Sequence, residues 1–441
     1  MRDIVNAALL GAASALVIAA SPASAQDFII ADATLVIGDG SEPIEDGIVV
    51  VEDGKVAYAG ASDGRSYETD QVIDANDAYV TPGIFATVTT LGIWDVGAVS
   101  ESNDTRAGGS PFSAALDTAP IVNPNSQQLM IHRAAGVTRA ATSTVPSGSI
   151  FAGQGAIIDL ASDGDPITKA RAFQMVDLGE GGANRAGGSR ASTYTLFRAS
   201  LREAQALIGA RGTPQTTEIA KGEDVMLNRF DAEALVPVVR GQQKLFVAVE
   251  RASDIRSALG LKREFSDLDM VLVGASEGWM VAREIAASGV PVIADSLDDL
   301  PDSFAELGAT QSNVGRMTNA GVKVALNASS MRNPRILPQH AGNLVALTRV
   351  PGADGLSWGQ AFATISSIPA SISGMDGKAG VLKSGALGDV VIWDGDPLEI
   401  GSVPTRVFIS GIEQNLANHQ SRLKERYLDL DESDLPKAYD W

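Results

Sequence analysis

Glu250 and Glu277 each follow a short run that reads as a buried strand, "LFVAV" (245–249) and "MVLVG" (270–274), and Asp295 closes a third, "ASGVPVIAD" (287–295). Acids at the carboxyl ends of neighbouring strands share one rim. There they can move protons as general acid and base, or hold a hard cation such as Mg or Ca. The plainer alternative is that Glu250 and Glu277 cap the helices beginning at Arg251 and Gly278, where a carboxylate meets the positive end of the dipole. His340, in "NPRILPQHAGN", is the histidine expected near that rim, with Arg332 and Arg335 beside it as anion clamps. A lone histidine beside a helix start serves equally well as a capping or surface group. "GEGGANRAGGSRAS" (179–192) places glycines, Arg185 and Arg190 ahead of a helix N-terminus, which suits an anionic group such as a substrate carboxylate, against the alternative of a plain flexible loop. No P-loop or His-Glu-x-x-His motif occurs.

The elements that must position these residues fall into two textures. At the start, "FIIADATLVIG" is followed by "GIVVVEDGKVAYAG", in which Asp53-Gly54 between β-rich runs is a strong hairpin signal. "GDVVIWDGDPLEI" and "TRVFISG" repeat that texture near the far end. Residues 27–80 and about 380–413 are therefore expected to form one composite β-sandwich domain built from both chain ends. Between them, "AAGVTRAAT" (134–142), "ASGVPVIAD" and "NAGVKVALN" (319–327) each close a helix with a glycine and enter a short apolar strand. Repeated strand–helix units with fully apolar strands imply a parallel sheet clothed in helices, and a count near eight implies a (β/α)8 TIM barrel over 81–379. Residues 161–190 read as a long loop at its mouth, and 414–441 as a charged helix with an acidic tail.

Composition narrows the function. The chain has 54 acidic residues against 34 Lys+Arg, a net charge of −20, which opposes binding to nucleic acid or an anionic membrane surface. No cysteine occurs, so disulfides, thiolate metal sites and cysteine nucleophiles are excluded. Arg2, the apolar run from Ala7 to Ala20 and Ala23-Ser24-Ala25 read as a secretory signal peptide cleaved after Ala25, with the mature protein in the periplasm. The run is too short to span a bilayer, which takes about 20 residues, so no membrane insertion is expected.

Four stretches resemble the amidohydrolase superfamily, in its imidazolonepropionase-like branch: "AYVTPGIFATVTTLG", "GVTRAATSTVPSGSIFAGQGAIIDL", "VLVGASEGWMVAREIAASGVPVI" and "AGVLKSGALGDVVIWDGDPLE". The resemblance implies a metal-dependent barrel with a composite β domain and hydrolysis of C–N bonds in cyclic amides and related compounds. It also implies metal ligands at 88 and 90, near 250, at 274 and near 329. In this chain those positions hold Val88, Thr90, Glu250, Gly274 and Ser329, and the three histidines, His132, His340 and His419, are not paired in ligand spacing. Strand alternation is expected to point Ala86, Val88 and Thr90 the same way. Val has no lone pair and Gly no side chain, so no metal cofactor is expected. The expectation is a ligand-binding or non-catalytic member that takes a small molecule. The alternatives are an active hydrolase using Glu250, Glu277 and His340, or a subunit that supports an active paralogue; a homo-oligomer stays open.

Overall fold

The computed structural model describes residues 26–62, 64, 69, 71–162, 164–209, 226–296, 298–327 and 333–428. Residues 1–25, where a signal peptide is expected, and Ser329, Arg332 and the acidic tail beyond 428 lie outside them.

The chain opens with β1 (Phe28–Leu35), β2 (Ile44–Glu52), β3 (Lys55–Ala61), β4 (Val72–Asp74) and β5 (Tyr79–Pro82). Asp53 and Gly54 both take positive φ, 51° and 73°, the paired left-handed conformation that matches a two-residue turn to strand twist. Barrel strands follow: β6 (Ile84–Thr89), β7 (Val137–Thr142), β8 (Phe151–Asp159), β9 (Ile167–Asp177), β10 (Lys244–Val249), β11 (Met270–Gly274), β12 (Val292–Ala294) and β13 (Val324–Leu326). The last three strands are β14 (Val390–Trp393), β15 (Pro404–Ile409) and β16 (Ile412–Glu413). They return to the first sheet in the order β16-β15-β14-β5-β1-β2-β3, with β14 antiparallel to β5 and β4 on β1. The two ends of the chain thus share one hydrogen-bonded sheet.

The second sheet runs in sequence order from β6 to β13. It is a mixed sheet: β8 is antiparallel to both β7 and β9. The connections explain why, since a parallel pair needs a crossover of about a dozen residues or more, and the loops flanking β8 are shorter. The expected loop over 161–190 is largely ordered structure, with β9 and the helix Glu180–Arg185 inside it. At the seam, Thr87 Oγ1 donates to the Leu326 carbonyl at 3.1 Å, while Thr364 and Ile365 carbonyls accept from Leu326 and Phe85 N–H groups.

Alternation splits the strand residues between two cores. Phe85, Val88, Phe173, Phe246, Val271, Val273, Ile293 and Ala325 fill the barrel interior, where Phe173 and Phe246 stack at 4.3 Å. Ile84, Ala86, Leu245, Val247, Leu272 and Leu326 face the helices. Ala86 and Val88 therefore do not point the same way. Val88 has φ +46°, and the β6–β7 register shifts between Ala86 and Thr89, so the local kink breaks strict alternation.

The two sheets are pinned together by a buried ion pair. Arg139 on β7 places Nε 2.6 Å and Nη2 3.2 Å from the two oxygens of Asp389, immediately before β14, and both residues are under 5% exposed. Trp393 Nε1 donates to Thr81 Oγ1 at 3.0 Å beside it.

Candidate functional site

Residues just beyond the carboxyl ends of β6, β10, β11, β12 and β13 form the mouth of the barrel. Ile293 and Ala325 point into the interior, and two residues on, at the same parity, stand Asp295 and Asn327. Asn327 extends the strand pairing, its N–H donating to the Ala294 carbonyl at 3.0 Å. Val88 lies inside, and Thr90 follows it.

Glu250 is held by the next strand. Its Oε2 accepts from Ser276 N–H at 3.0 Å and from Ser276 Oγ–H at 2.8 Å. Val249 pairs with Gly274 across the β10–β11 ladder, and a Cβ built on Gly274 would overlap the Glu250 carboxyl. The Glu250 head group thus takes up the volume that a side chain at 274 would need. Gly274 also sits at φ +90°, a conformation that side chains resist. Burial pushes the Glu250 carboxyl up to about 8, opposed by the Ser276 hydrogen bonds and reinforced by Glu306 and Asp295.

Glu277 does a different job. Its Oε2 accepts from Ala252 N–H at 2.9 Å and its Oε1 from Gly308 N–H at 3.1 Å. It caps the helix Ala252–Glu264, whose own N-cap residue, Arg251, supplies no side-chain bond. The capping alternative holds for Glu277, though across elements and not on the helix that follows it. Glu250 caps neither helix.

Asp295 is the least satisfied acid at the mouth. Its Oδ1 is buried without a hydrogen-bond partner, and burial, then Asp298 and Glu306, push its carboxyl up to about 7. Thr90 Oγ1, Ser296 Oγ and Asn327 Oδ1 are likewise buried without partners, in residues 2%, 1% and 8% exposed. Asn327 and Ser296 escaped sequence reasoning. Their one available signal was position, each within two residues of a short apolar strand's end.

The other candidates are placed elsewhere. His340 sits on the buried face of the helix Leu337–Ala346 with Leu337, Ala341 and Leu344, and burial alone lowers its pKa. Among the described residues, no hydrogen bond or ion pair joins it to Glu250, Glu277 or Asp295. Arg185 is paired with Asp177 and Arg190 with Asp254, both at 2.7 Å, which neutralises them as anion clamps. Arg335 donates to Asn333 and Gln420 and lines a cavity of about 350 Å³ shared with Ile131, Trp393 and Pro404, against the composite domain.

The amidohydrolase family model matches residues 164–406, more than half of the chain. This chain belongs to the amidohydrolase family. Its architecture agrees: an amidohydrolase from Thermotoga maritima MSB8 superposes with a TM-score of 0.74 at 21% identity, covering 88% of this chain and 99% of that one. Molinate hydrolase superposes at 0.52 and 16% identity over 89% and 95% of the two chains. Ochratoxinase of A. niger does so at 0.51 and 16% identity over 88% and 95%. At these identities the likeness concerns the fold. In sequence, the amidohydrolase tasK of Hapsidospora irregularis is 24% identical over 375 residues, 78% of this chain. The amidohydrolase chain described here spans only 37% of that relative's length.

Proposed function

We propose that this amidohydrolase-family protein is an exported small-molecule binder whose barrel mouth holds no transition metal. The observation that carries the proposal is the Glu250–Gly274 arrangement: one carboxyl fills the space of two ligand positions. Val88 is packed in the interior, and Thr90 offers only a neutral hydroxyl. A catalytic zinc site takes three or more protein ligands, and these residues supply one carboxylate. Among the described residues, the three acids whose ligand atoms lie within 4.8 Å of one another are Asp32, Asp46 and Asp77, exposed on the composite domain. The residues of the mouth therefore do not fit the family's metal centre. Elemental analysis of the purified protein tests this. Zinc, iron and manganese should fall well below one per chain, and one transition metal per chain that Glu250→Ala releases would refute it.

A second function is supported by the raised carboxyls. Glu250 near 8 and Asp295 near 7 are poised for proton transfer at neutral pH, which suits metal-independent hydrolysis of a C–N bond. Turnover of cyclic amides or N-acyl amino acids that persists in a chelator and vanishes in Glu250→Gln would establish it; no turnover leaves the binder.

A further inference from the structure

One surface of this acidic protein is basic. The helices Arg190–Gly209 and Ala252–Glu264 are joined outside the barrel by the Arg190–Asp254 pair and by Tyr194 Oη–H, which donates to the Asp254 carbonyl at 3.1 Å. Between them opens a cleft of about 490 Å³, lined by Arg198, Arg256 and Arg263, with Glu264 the one acid in its wall.

Helical spacing builds the cleft. Ser257, Gly260 and Glu264 fall at i, i+3 and i+7, on one stripe of the second helix, and the small residues at 257 and 260 keep its floor low. Arg256 and Arg263, themselves seven apart, flank that stripe. The Arg263 fork lies beside the floor, since a Cβ built on Gly260 would stand 3.3 Å from Arg263 Nη2. On the first helix Tyr194 and Arg198 are four apart, and the Arg198 guanidinium is 5.7 Å from the Tyr194 ring centroid. A cation in the last helical turn complements the dipole, but Lys262 already supplies one. The dipole does not account for three guanidinium groups, from two helices, on one cleft.

The arginines outnumber the acids that face them. Asp254 is shared by Arg190 and Arg251, Glu264 by Arg198 and Arg202, and Glu284 pairs with Arg256, while Arg263 has no acid partner among the described residues. Hydrogen-bond donors are left over as well. Arg198 spends only Nε on Glu264, at 2.8 and 2.9 Å, and Arg256 spends Nε and Nη2 on Glu284. Both nitrogens at the end of Arg198, Nη1 of Arg256 and the whole Arg263 fork remain without a protein acceptor among the described residues. The Arg256–Glu284 pair is 53% and 49% exposed, a surface pair of little worth that yields readily to a stronger anion. Physiological salt cuts the Debye length to about 8 Å, so distant acids behind the net charge of −20 are screened and the local excess of arginine persists.

We infer that this cleft binds a compact phosphate-type polyanion, the unspent guanidinium nitrogens of Arg198, Arg256 and Arg263 donating to its oxygens. Guanidinium forks match phosphate oxygens in pairs, and each such bond is charge-assisted. The anion fastens two helices of the barrel's outer layer to one another. Its site is separate from the barrel mouth and stands whether or not the mouth holds a metal.

Calorimetric titration with sodium pyrophosphate in about 0.15 M NaCl tests the inference. One pyrophosphate should bind per chain, and acetate should give no saturable heat. Arg263→Ser and Arg256→Gln should each weaken pyrophosphate at least about tenfold, as expected when charge-assisted bonds are lost. Arg263 is exposed and unpaired, so its variant keeps the fold. Lys262→Ser removes the same charge one residue away, outside the cleft, and should change affinity less than about twofold. Phenyl phosphate and inorganic phosphate separate the two sources of such an anion: tighter phenyl phosphate assigns the site to phosphate esters with the ring on Tyr194, and equal binding assigns it to the inorganic ion. Pyrophosphate that fails to saturate, indifference to Arg263→Ser, or equal losses in Lys262→Ser and Arg263→Ser overturns the inference.

Discussion

Replacing Glu250 with Gln should change how the protein's stability depends on pH. Gln keeps an oxygen for Ser276 N–H and Oγ–H while removing the ionisable proton. A carboxyl whose folded pKa lies above its unfolded value binds its proton more tightly in the folded state. Its stabilising effect is therefore complete below the unfolded value and is lost as pH rises through the folded one. For Glu250 that window runs from about 4.5 to about 8. Linkage across it gives about 3 kcal/mol of stability lost between pH of about 5.5 and 8.5 from this group alone. Urea unfolding of both proteins at the two pH values measures it. Near pH 5.5 wild type and Glu250→Gln should differ by about 1 kcal/mol, because Glu250 is then mostly protonated in the folded state. Near pH 8.5 the variant should be the more stable by a few kcal/mol, since it no longer buries a charge. Asp295 titrates nearby in the same direction, so some decline with pH remains in the variant. If the two proteins lose stability in parallel from pH 5.5 to 8.5, Glu250 is not held protonated and the account of the mouth fails.

Other expectations concern the scaffold. Asp389→Ala strips the partner from buried Arg139 and should cost about 3–5 kcal/mol in urea unfolding; a loss below about 1 kcal/mol would show that the pair does not pin the sheets together. Gly274→His should lower the melting temperature markedly because its side chain meets the Glu250 carboxyl, and the penalty should shrink in a Glu250→Gly background; additive effects would deny the overlap. Removing residues 380–441 should strip amide protection from Tyr79–Pro82, which pairs with β14; full protection there would count against the shared sheet. Intact mass of protein from the periplasm should begin at Gln26, and an uncleaved chain in the membrane would refute export.

The sequence by itself determined the elements and their grouping. Period-two runs at both ends, the Asp53-Gly54 turn and the repeated glycine-then-strand units are local signals, written in neighbouring residues and legible without neighbours in space. It also determined which side-chain donors are missing, because Val88 has no lone pair and Gly274 no side chain in any fold. What the tertiary structure alone decided is where side chains go. The antiparallel course of β8 follows from loop length, and the kink at Val88 came from the barrel, not from alternation. Glu277 caps the helix after β10 and not its own, and His340 lies on the buried face of its helix beside Leu337, Ala341 and Leu344. Above all, Glu250 and Gly274 share one volume only because the β10–β11 register sets Val249 opposite Gly274. That complementarity joins residues far apart in the chain, and the burial that raises the pKa values of Glu250 and Asp295 exists only once the strands have closed around them.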